Sequence, residues 1–397
     1  MSARFEAAGR VAIVGYAHSA ITRSEEVGLG PLTMRTTLEA IADAGLTLED
    51  IDGFTTGALF PSSGGRPLTD GVQIVTADWL VEQFRVQPRW LCGFQGVGQI
   101  CGALILATNA IASGSADYVV MHRAMHNPPG RYHSNPMTEA EGAAQWVAPH
   151  GFWGPPVHMA LPYMEYMQRY GATREDMAAV VVEARQAGAK LPWSHWYDKP
   201  ITVDDYMNAR MIADPMSILD CDIPVNGVGS FVLTSAERAK DLPHKPVYVA
   251  GYAQGRSGPA NGVDMWSLDD MMAGGLEVAR LLWESAGFGP DDVDVPQIYD
   301  GFSPFLYFWL EALGYCGFGE AHQYVKDPGI SPGLPFKTGG GAVGNGRMHG
   351  VPQMLEAYLQ LSQRAGERQL ASAEVAIACQ AGPNIGGVVA YTAEPTT

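Results

Sequence analysis

The sequence predicts an α/β fold built from two similar halves, because three features recur in the same order. The first is a buried strand that runs into a turn, at 11–17 and again at 247–253. The second is a helix that ends in glycine, at Gly45 and Gly287, followed by an acidic turn and a short strand. The third is an apolar helix that leads into another buried strand. Helices that alternate with apolar strands predict layers, so the duplicated unit predicts a five-layer α/β/α/β/α body.

The elements of the first half follow from apolar runs and from the residues that interrupt them. Residues 11–17 are almost all apolar, which is typical of a strand buried on both faces. Gly45 supplies the left-handed conformation that closes a helix. The remaining predicted elements of this half are the acidic turn 48–52, the strand 53–57, the helix 98–111 and the strand 118–121.

The second half repeats these elements. Its first strand, 247–253, precedes a helix that ends at Gly287. Its remaining predicted elements are the acidic turn 290–294, the strand 297–301, the helix 351–363 and the strand 373–378. A single matched pair would be a coincidence, whereas three pairs in one order indicate a duplication.

A long segment separates the two halves. It is rich in turns at first and then predicts helices at 156–170 and 174–189. A glycine-rich strand at 228–234 is expected to complete the first half's sheet. An excursion of this size can roof an active site. The predicted organisation is a first half 1–245, which includes an excursion at about 123–225, and a second half 246–397.

Composition and charge exclude several functions. The chain has 397 residues and a formal net charge of −17, which repels the phosphates of nucleic acids. No apolar stretch is long enough to span a membrane, and the N-terminus has no apolar leader. An anionic ligand would therefore need a local basic patch, and no run of basic residues supplies one.

The cysteines point to a reducing compartment. The chain has five, Cys92, Cys101, Cys221, Cys316 and Cys379, and no two form a CxxC pair. This spacing does not suggest a zinc site, so free thiols in the cytoplasm are expected. Neither a metal nor an organic cofactor is predicted.

Several segments resemble the thiolase superfamily. The order of elements and the segments 110–117, 233–239 and 339–341 carry the general resemblance. The segments 299–305, 311–317 and 348–350 are similar to those of the sterol-carrier-type, lipid-transfer thiolase-like proteins, and among these to the steroid side-chain retro-aldolases. The resemblance covers nearly the whole chain. It implies the thiolase fold, acyl-CoA chemistry and a homodimer, with a possible small OB-fold, zinc-ribbon acyl-CoA-binding partner in a heterotetramer.

The resemblance also locates a missing nucleophile. Thiolases attack the acyl group with a cysteine at the start of a buried helix, where the helix stabilises the thiolate. The matching position lies near Val97, and residues 95–98 contain no cysteine. Cys101 lies about one helical turn further along, where a small core residue is expected. A carbon–carbon bond can still be made or broken without a covalent cysteine intermediate.

The second half supplies other candidate catalytic residues. Tyr299 occupies the position of a histidine or asparagine that binds the thioester oxygen in thiolases, and the retro-aldolases also have tyrosine there. A tyrosine can donate to a carbonyl or relay a hydroxyl proton. Asp300 follows it directly. Arg347 stands where thiolases have a second histidine and the retro-aldolases a second tyrosine, so it is expected to bind an oxyanion and to favour a tyrosine phenolate. His349 is an independent acid–base candidate.

The candidate ligand contacts come from loops. Gly340 and Gly341 allow a backbone to approach a ligand closely, and Gly382 is expected to help form an oxyanion hole after the proton-shuttle candidate Cys379. His150 and Phe302 are the remaining candidate substrate contacts. Aromatic residues in the predicted roof suit a bulky acyl group; they are Trp146, Phe152, Trp153, Trp193, Trp196 and Tyr197.

These features favour a retro-aldolase, a carbon–carbon lyase that acts on a β-hydroxyacyl-CoA with a bulky steroid-like or aromatic acyl group. Coenzyme A enters only as part of the substrate. One alternative is a divergent thiolase or acyltransferase that uses Cys101 or Cys379. The other is a non-catalytic subunit that binds acyl-CoA.

Overall fold

A computed structural model describes most of the chain. The described residues are 5–23, 27–57, 72, 74–94, 99–126, 144–152, 154–255, 267–326 and 338–396. Within these residues no helix is both long and apolar enough to cross a membrane. The predicted nucleophile position, Val97, and the roof residue Trp153 lie outside the described residues.

The described strands number eleven in chain order. They are β1 Val11–His18, β2 Gly53–Thr56, β3 Trp90–Gly93, β4 Tyr118–His126, β5 Met211–Ala213, β6 Met216–Ser217, β7 Asn226–Ser235, β8 Val247–Gln254, β9 Val295–Gln297, β10 Val375–Gln380 and β11 Gly387–Thr392. All of them except β5 and β6, which pair with each other, belong to one sheet.

The described helices follow the same order. They are α1 Leu29–Asp43, α2 Ala77–Phe84, α3 Gln99–Ala112, α4 Ala144–Val147, α5 Pro155–Tyr170, α6 Arg174–Gly188, α7 Val203–Met207, α8 Ala236–Ala239, α9 Leu268–Ala286, α10 Pro304–Leu313, α11 Ala321–Tyr324, α12 Gly341–Asn345 and α13 Val351–Leu361. Gly45 and Gly287 have φ values of 74° and 79° after α1 and α9, so both predicted glycine caps are confirmed.

The sheet confirms the internal repeat. Its strand order is β3-β2-β4-β7-β1-β8-β11-β10-β9. In the first half β2 is parallel to β4, and β4, β7 and β1 run antiparallel in turn. In the second half β9 is parallel to β10, and β10, β11 and β8 run antiparallel in turn. The two half-sheets meet through a short antiparallel pairing of β1 with β8, at Ala12 with Tyr248 and Ile13 with Val247.

The helices divide the body into five layers. Helix α1 packs on β1 and β7 at one outer face, and α9 packs on β8 and β11 at the other. Helices α3 and α13 lie between the two half-sheets. Strand β1 shows the separation, since Ala12 and Val14 enter the outer core and Val11 and Ile13 enter the central one. The predicted five-layer α/β architecture is therefore confirmed.

Among the strand boundaries that differ from the prediction, three affect the placement of candidate residues. Strand β4 continues to His126 because it pairs with β7 over its whole length, so the chain leaves the sheet three residues after the predicted start of the excursion at 123. Strand β10 includes Cys379, which pairs with Val388 rather than following the strand. Strand β9 spans 295–297 instead of the predicted 297–301, so Tyr299 lies just beyond its end.

The buried carboxylate of Asp220 connects the excursion to the second half. Asp220 accepts hydrogen bonds from the hydroxyls of Tyr206 and Ser303, both at 2.6 Å. Its second oxygen accepts from the backbone N–H and hydroxyl of Ser217. Because Ser303 begins the segment that leads into α10, this carboxylate fixes the roof over the turn that contains Tyr299.

Candidate active site

Tyr299 lies between the two halves of the molecule, at the end of β9. Its side chain is only 6% exposed. A side-chain carbon at Gly301 would collide with the Tyr299 hydroxyl, so the glycine leaves room for the phenol. The ring also packs against Phe305, with ring centroids 6.1 Å apart. The phenol is held in one place by these contacts.

Tyr299 is a protonated phenol at neutral pH. Burial raises its pKa well above the usual value, the carboxylates of Asp222 and Asp300 raise it further, and Arg347 and Arg123 lower it. Burial is the largest of these effects. Arg347 lowers the pKa of the phenol in the direction expected from the sequence, but this effect does not offset the loss of water around the phenol.

Asp300 anchors a glycine turn. Its Oδ1 accepts a hydrogen bond from the backbone N–H of Ala342 at 2.6 Å and another from Nε2 of Gln353 at 3.1 Å. The side chain is 1% exposed. These contacts tie the strand-end turn to the start of α12, which gives Asp300 a positioning role in the site.

The predicted glycine contacts are close approaches between segments of the protein. Gly340 and Gly341 have φ values of 73° and 61°, a region that side chains rarely tolerate. A side-chain carbon on Gly341 would meet the Asp300 carboxylate. Further along, Gly344 passes against Gly188 at the end of α6. The glycines thus let α12 lie directly on α6, and their contact with a ligand stays a prediction.

Arg347 follows α12 and reaches the same site. It is half-buried, and its backbone N–H donates to the carbonyl of Ile223 at 2.9 Å. Its charge acts on the phenol of Tyr299 and on the guanidinium of Arg123. Arg347, the oxyanion-binding candidate from the sequence, is therefore close to Tyr299.

His349 is turned towards an arginine from the first half. Nη2 of Arg123 lies 2.9 Å from Nδ1 of His349. A guanidinium has only donors, so Nδ1 must accept and the imidazole proton is assigned to Nε2. His349 is 6% exposed and has a φ of 48°, a strained backbone conformation for a non-glycine residue. This geometry favours a positioning role over the predicted role in acid–base catalysis.

Arg123 is buried without a counter-charge among the described residues. It is 2% exposed, and its Nε has no hydrogen-bond partner in the part of the chain that the structure describes. Besides the bond to His349, its one other hydrogen bond within the described part of the chain is a long one, 3.4 Å, to the carbonyl of Ala124. Burial and Arg347 lower the pKa of Arg123 to about 9, which leaves it charged at neutral pH.

Asp222 is a site residue that sequence reasoning missed. It is 3% exposed, and its backbone N–H donates to the carbonyl of Gly301 at 2.9 Å. Its neighbour Cys221 pairs with Phe302 through an isolated bridge. Of the charged groups that act on Tyr299, Asp222 has the largest effect. The predicted contact residue Phe302 is half-buried and packs on Phe305, with centroids 5.9 Å apart.

Neither candidate cysteine is placed as a nucleophile. Cys101 is 1% exposed in the central core, and its Sγ lies 3.9 Å and 3.8 Å from the carbonyls of Ala378 and Gly387. Burial raises the pKa of Cys101 to about 12. Burial also raises the pKa of Cys379 well above its usual value, although the Tyr299 backbone N–H opposes this. Both are thiols at neutral pH, whereas a nucleophile must be a thiolate.

The remaining predicted contacts are dispersed. Gly382 is buried against Phe305, and its carbonyl accepts from the N–H of Gly386 at 2.8 Å. His150 is exposed on the short 3-10 turn that follows α4. Trp196 packs under the guanidinium of Arg185 at 3.6 Å, and Trp146 is 73% exposed.

Among the described residues no group of three or more histidine, cysteine or acidic side chains could hold a metal.

Comparisons with known proteins show which family the chain belongs to. Residues 264–391 match the family described as thiolase C-terminal domain-like. The chain is 34% identical over 366 residues to a 17-hydroxy-3-oxo-4-pregnene-20-carboxyl-CoA lyase from Mycobacterium tuberculosis, covering 89% of this chain and 92% of the relative. It is 33% identical over 365 residues to a steroid side-chain-cleaving aldolase from Thermomonospora curvata, covering 88% and 89%. A solved structure of an Ltp2-ChsH2(DUF35) aldolase superposes with a TM-score of 0.82 at 28% identity, covering 98% and 99% of the two chains.

Proposed function

Because the chain belongs to the thiolase-like family that includes steroid side-chain-cleaving aldolases, we propose that it is a carbon–carbon lyase of β-hydroxyacyl-CoA thioesters. The observation that carries this proposal is the buried phenol of Tyr299, which lies among two arginines and two carboxylates. Cys101 and Cys379 are both thiols, so neither is ready to act as the nucleophile of thiolytic exchange. A retro-aldol reaction needs a proton relay and an anion site, and these groups can supply both.

The reaction begins at the β-hydroxyl of the substrate. Tyr299 is protonated, so it can accept the hydroxyl proton only by passing its own proton to a base. Asp222 is the carboxylate with the largest effect on this phenol, and we assign it that role. As the proton leaves, the β-carbon–oxygen bond becomes a carbonyl and the bond between the α- and β-carbons breaks. The electron pair goes to the thioester, which becomes an enolate.

The enolate must then be stabilised and protonated. Arg347 and backbone N–H groups near Gly382 are the donors expected from the sequence, and such donors are worth about 3 kcal/mol each in related sites. Cys379 is a protonated thiol that accepts the backbone N–H of Tyr299, so it can donate its proton to the α-carbon. The proton held by Asp222 then returns to the Cys379 thiolate, which restores both groups. Overall, one β-hydroxyacyl-CoA gives one carbonyl compound and one shortened acyl-CoA, and neither water nor free CoA is consumed.

Substrate size and assembly complete the proposal. We expect a bulky steroid-like or aromatic acyl group, since the relatives are named for steroid side chains. A homodimer would pair through β3, which is the edge strand of the sheet and exposes 39% of Leu91. A DUF35-type partner would complete a heterotetramer, by analogy with the Ltp2-ChsH2(DUF35) aldolase that superposes on this chain. We place this assembly in the cytoplasm.

A product assay tests the function. The full chain, with and without a DUF35-type partner, is incubated with a steroid or aryl β-hydroxyacyl-CoA, and the products are identified by mass spectrometry. A shortened acyl-CoA and a carbonyl compound in equal amounts, without free CoA, are expected. Cleavage of only the matching β-ketoacyl-CoA, and only with free CoA, would support the thiolase alternative. Binding without any cleavage would support a non-catalytic subunit.

A further inference from the structure

The least compensated charge in the described site belongs to Arg123. Half-buried Arg368 is balanced by Glu356 at 2.9 Å, and buried Arg185 stacks on the ring of Trp196. Arg123 instead has a neutral imidazole on Nη2, a long contact on Nη1 and no partner on Nε. A buried cation without a counter-ion is unfavourable, so such an arrangement persists only where the surroundings hold it in place.

Neighbouring segments hold the Arg123 side chain in place. Arg123 is part of β4, and its backbone pairs with Gly229 of β7. His349 fixes one edge of the guanidinium from the second half, in a loop that carries its own backbone strain. Both halves of the molecule therefore position the side chain, and its Nε is left for a group that the described residues do not supply.

An anionic group beside Tyr299 would compensate the charge of Arg123. The phenol and Arg347 both act on the charge of Arg123. A neutral thioester carbonyl in the ground state compensates a cation weakly, whereas an enolate oxygen carries the full charge. Groups that bind the charged transition state better than the neutral substrate are those that accelerate a reaction.

On the basis of the proposed retro-aldol function, we propose that Arg123 binds the thioester enolate oxygen and that His349 is its positioning residue. The anion site then contains one arginine from each half, Arg123 and Arg347. This gives His349 a role that requires no proton transfer, because its Nδ1 orients the guanidinium. Arg123 is accordingly a catalytic residue.

Exchange of the α-proton tests this assignment separately from cleavage. In deuterated water, an enzyme that stabilises the enolate exchanges the α-protons of a short acyl-CoA such as acetyl-CoA, followed by mass spectrometry. The full chain is used, with the partner subunit wherever cleavage requires it. For Arg123→Gln we expect both exchange and kcat for cleavage to fall by about 100-fold or more. Arg123→Lys should recover part of both, and added guanidinium should partly rescue the glutamine variant.

A matched control separates catalysis from packing. Arg185 is also deeply buried, at 4% exposed, and its Nε is unpartnered. It stacks on Trp196, so Arg185→Gln should change exchange by less than about threefold. Acyl-CoA affinity and thermal unfolding are measured for every variant.

The outcomes distinguish the two proposals. If Arg123→Gln keeps its exchange rate while remaining folded, the enolate assignment is wrong even if cleavage falls. A wild-type protein that cleaves substrate but exchanges no α-protons would overturn it as well. If exchange depends on Arg123 but no β-hydroxyacyl-CoA is cleaved, the enolate site stands and the lyase function is wrong. A wild type with neither activity would overturn both.

Discussion

Two arginines differ in how their charge is compensated. Arg364, near the edge of the molecule, has a carboxylate partner, whereas Arg123, near its centre, has none among the described residues. Arg364 follows α13 and binds Asp43 at the end of α1 through two hydrogen bonds of 2.7 and 3.0 Å. It also lies over the ring of Tyr16 at 4.9 Å. Arg123 is more deeply buried and has no carboxylate among the described residues.

The difference separates stability from function. The Arg364 guanidinium has a carboxylate counter-charge, hydrogen bonds and an aromatic ring beside it. These contacts join the second half to the first. At Arg123 the described residues leave the charge unmatched in a place where the fold also buries Tyr299. We infer that the first arginine contributes to the stability of the body and the second to turnover.

The largest expected effect is a loss of turnover on substitution of Tyr299. Tyr299→Phe removes the proton relay, so turnover should fall by about 10²- to 10⁴-fold with little change in acyl-CoA affinity. Steady-state kinetics and calorimetric binding measure the two quantities. Tyr307→Phe is the control, because the Tyr307 hydroxyl is also buried but has no hydrogen-bond partner among the described residues. Equal losses in both variants would show that burial of the phenols, and not the relay, controls turnover.

If the contact between Arg364 and Asp43 is broken, we expect a loss of stability without a loss of turnover. Arg364→Met leaves Asp43 without its main partner, and for this partly exposed pair the free energy of unfolding should fall by about 1–2 kcal/mol. Denaturant unfolding measures the change. Arg280→Met, which breaks an exposed pair with Glu277 and Glu284, should cause no measurable change. A loss of turnover in folded Arg364→Met would contradict the separation of roles.

The pH dependence of stability should show the same edge contact. Burial alone would raise the pKa of Asp43, but hydrogen bonds from Arg364 and the Tyr16 N–H outweigh it and lower the pKa below 3.8. A lowered folded-state pKa means that the contribution is complete above the unfolded value and is lost as pH falls through the folded value. Unfolding midpoints should therefore drop below about pH 4 less steeply in Asp43→Asn than in the wild type. Identical slopes would rule out this contribution.

The smallest effect is expected at Cys101. Cys101→Ala removes a core thiol that has no part in the proposed reaction, so kcat should stay within about twofold of the wild type. The same assay used for Tyr299→Phe measures it. A loss comparable to that of Tyr299→Phe would restore Cys101 as a nucleophile.

The sequence predicts the fold far better than the site. Strands β1 and β8, the helices that end at Gly45 and Gly287 and the repeated order all follow from local patterns, because apolar periodicity and glycine caps act over a few residues. Boundaries such as the end of β9 depend on pairing between strands and differ by a few residues.

The site depends on contacts between the halves. Tyr299 and Arg347 were expected from second-half motifs, but Arg123 and Asp222 reach them from β4 and from the excursion. The sequence does not show that Arg123, within β4, or Asp222, just before β7, approaches Tyr299, because these contacts depend on the packing of distant segments. The phenol's protonation state was also unpredictable, because it depends on burial that only the packed structure sets.

The central claim is that the carbon–carbon bond breaks without an acyl-enzyme. Rapid quenching during turnover of a β-hydroxyacyl-CoA, followed by intact-protein mass spectrometry, tests it most directly. We predict that the protein keeps its unmodified mass at every time point while the shortened acyl-CoA accumulates. A transient acyl adduct on Cys101 or Cys379, formed and consumed at the rate of turnover, would contradict this claim.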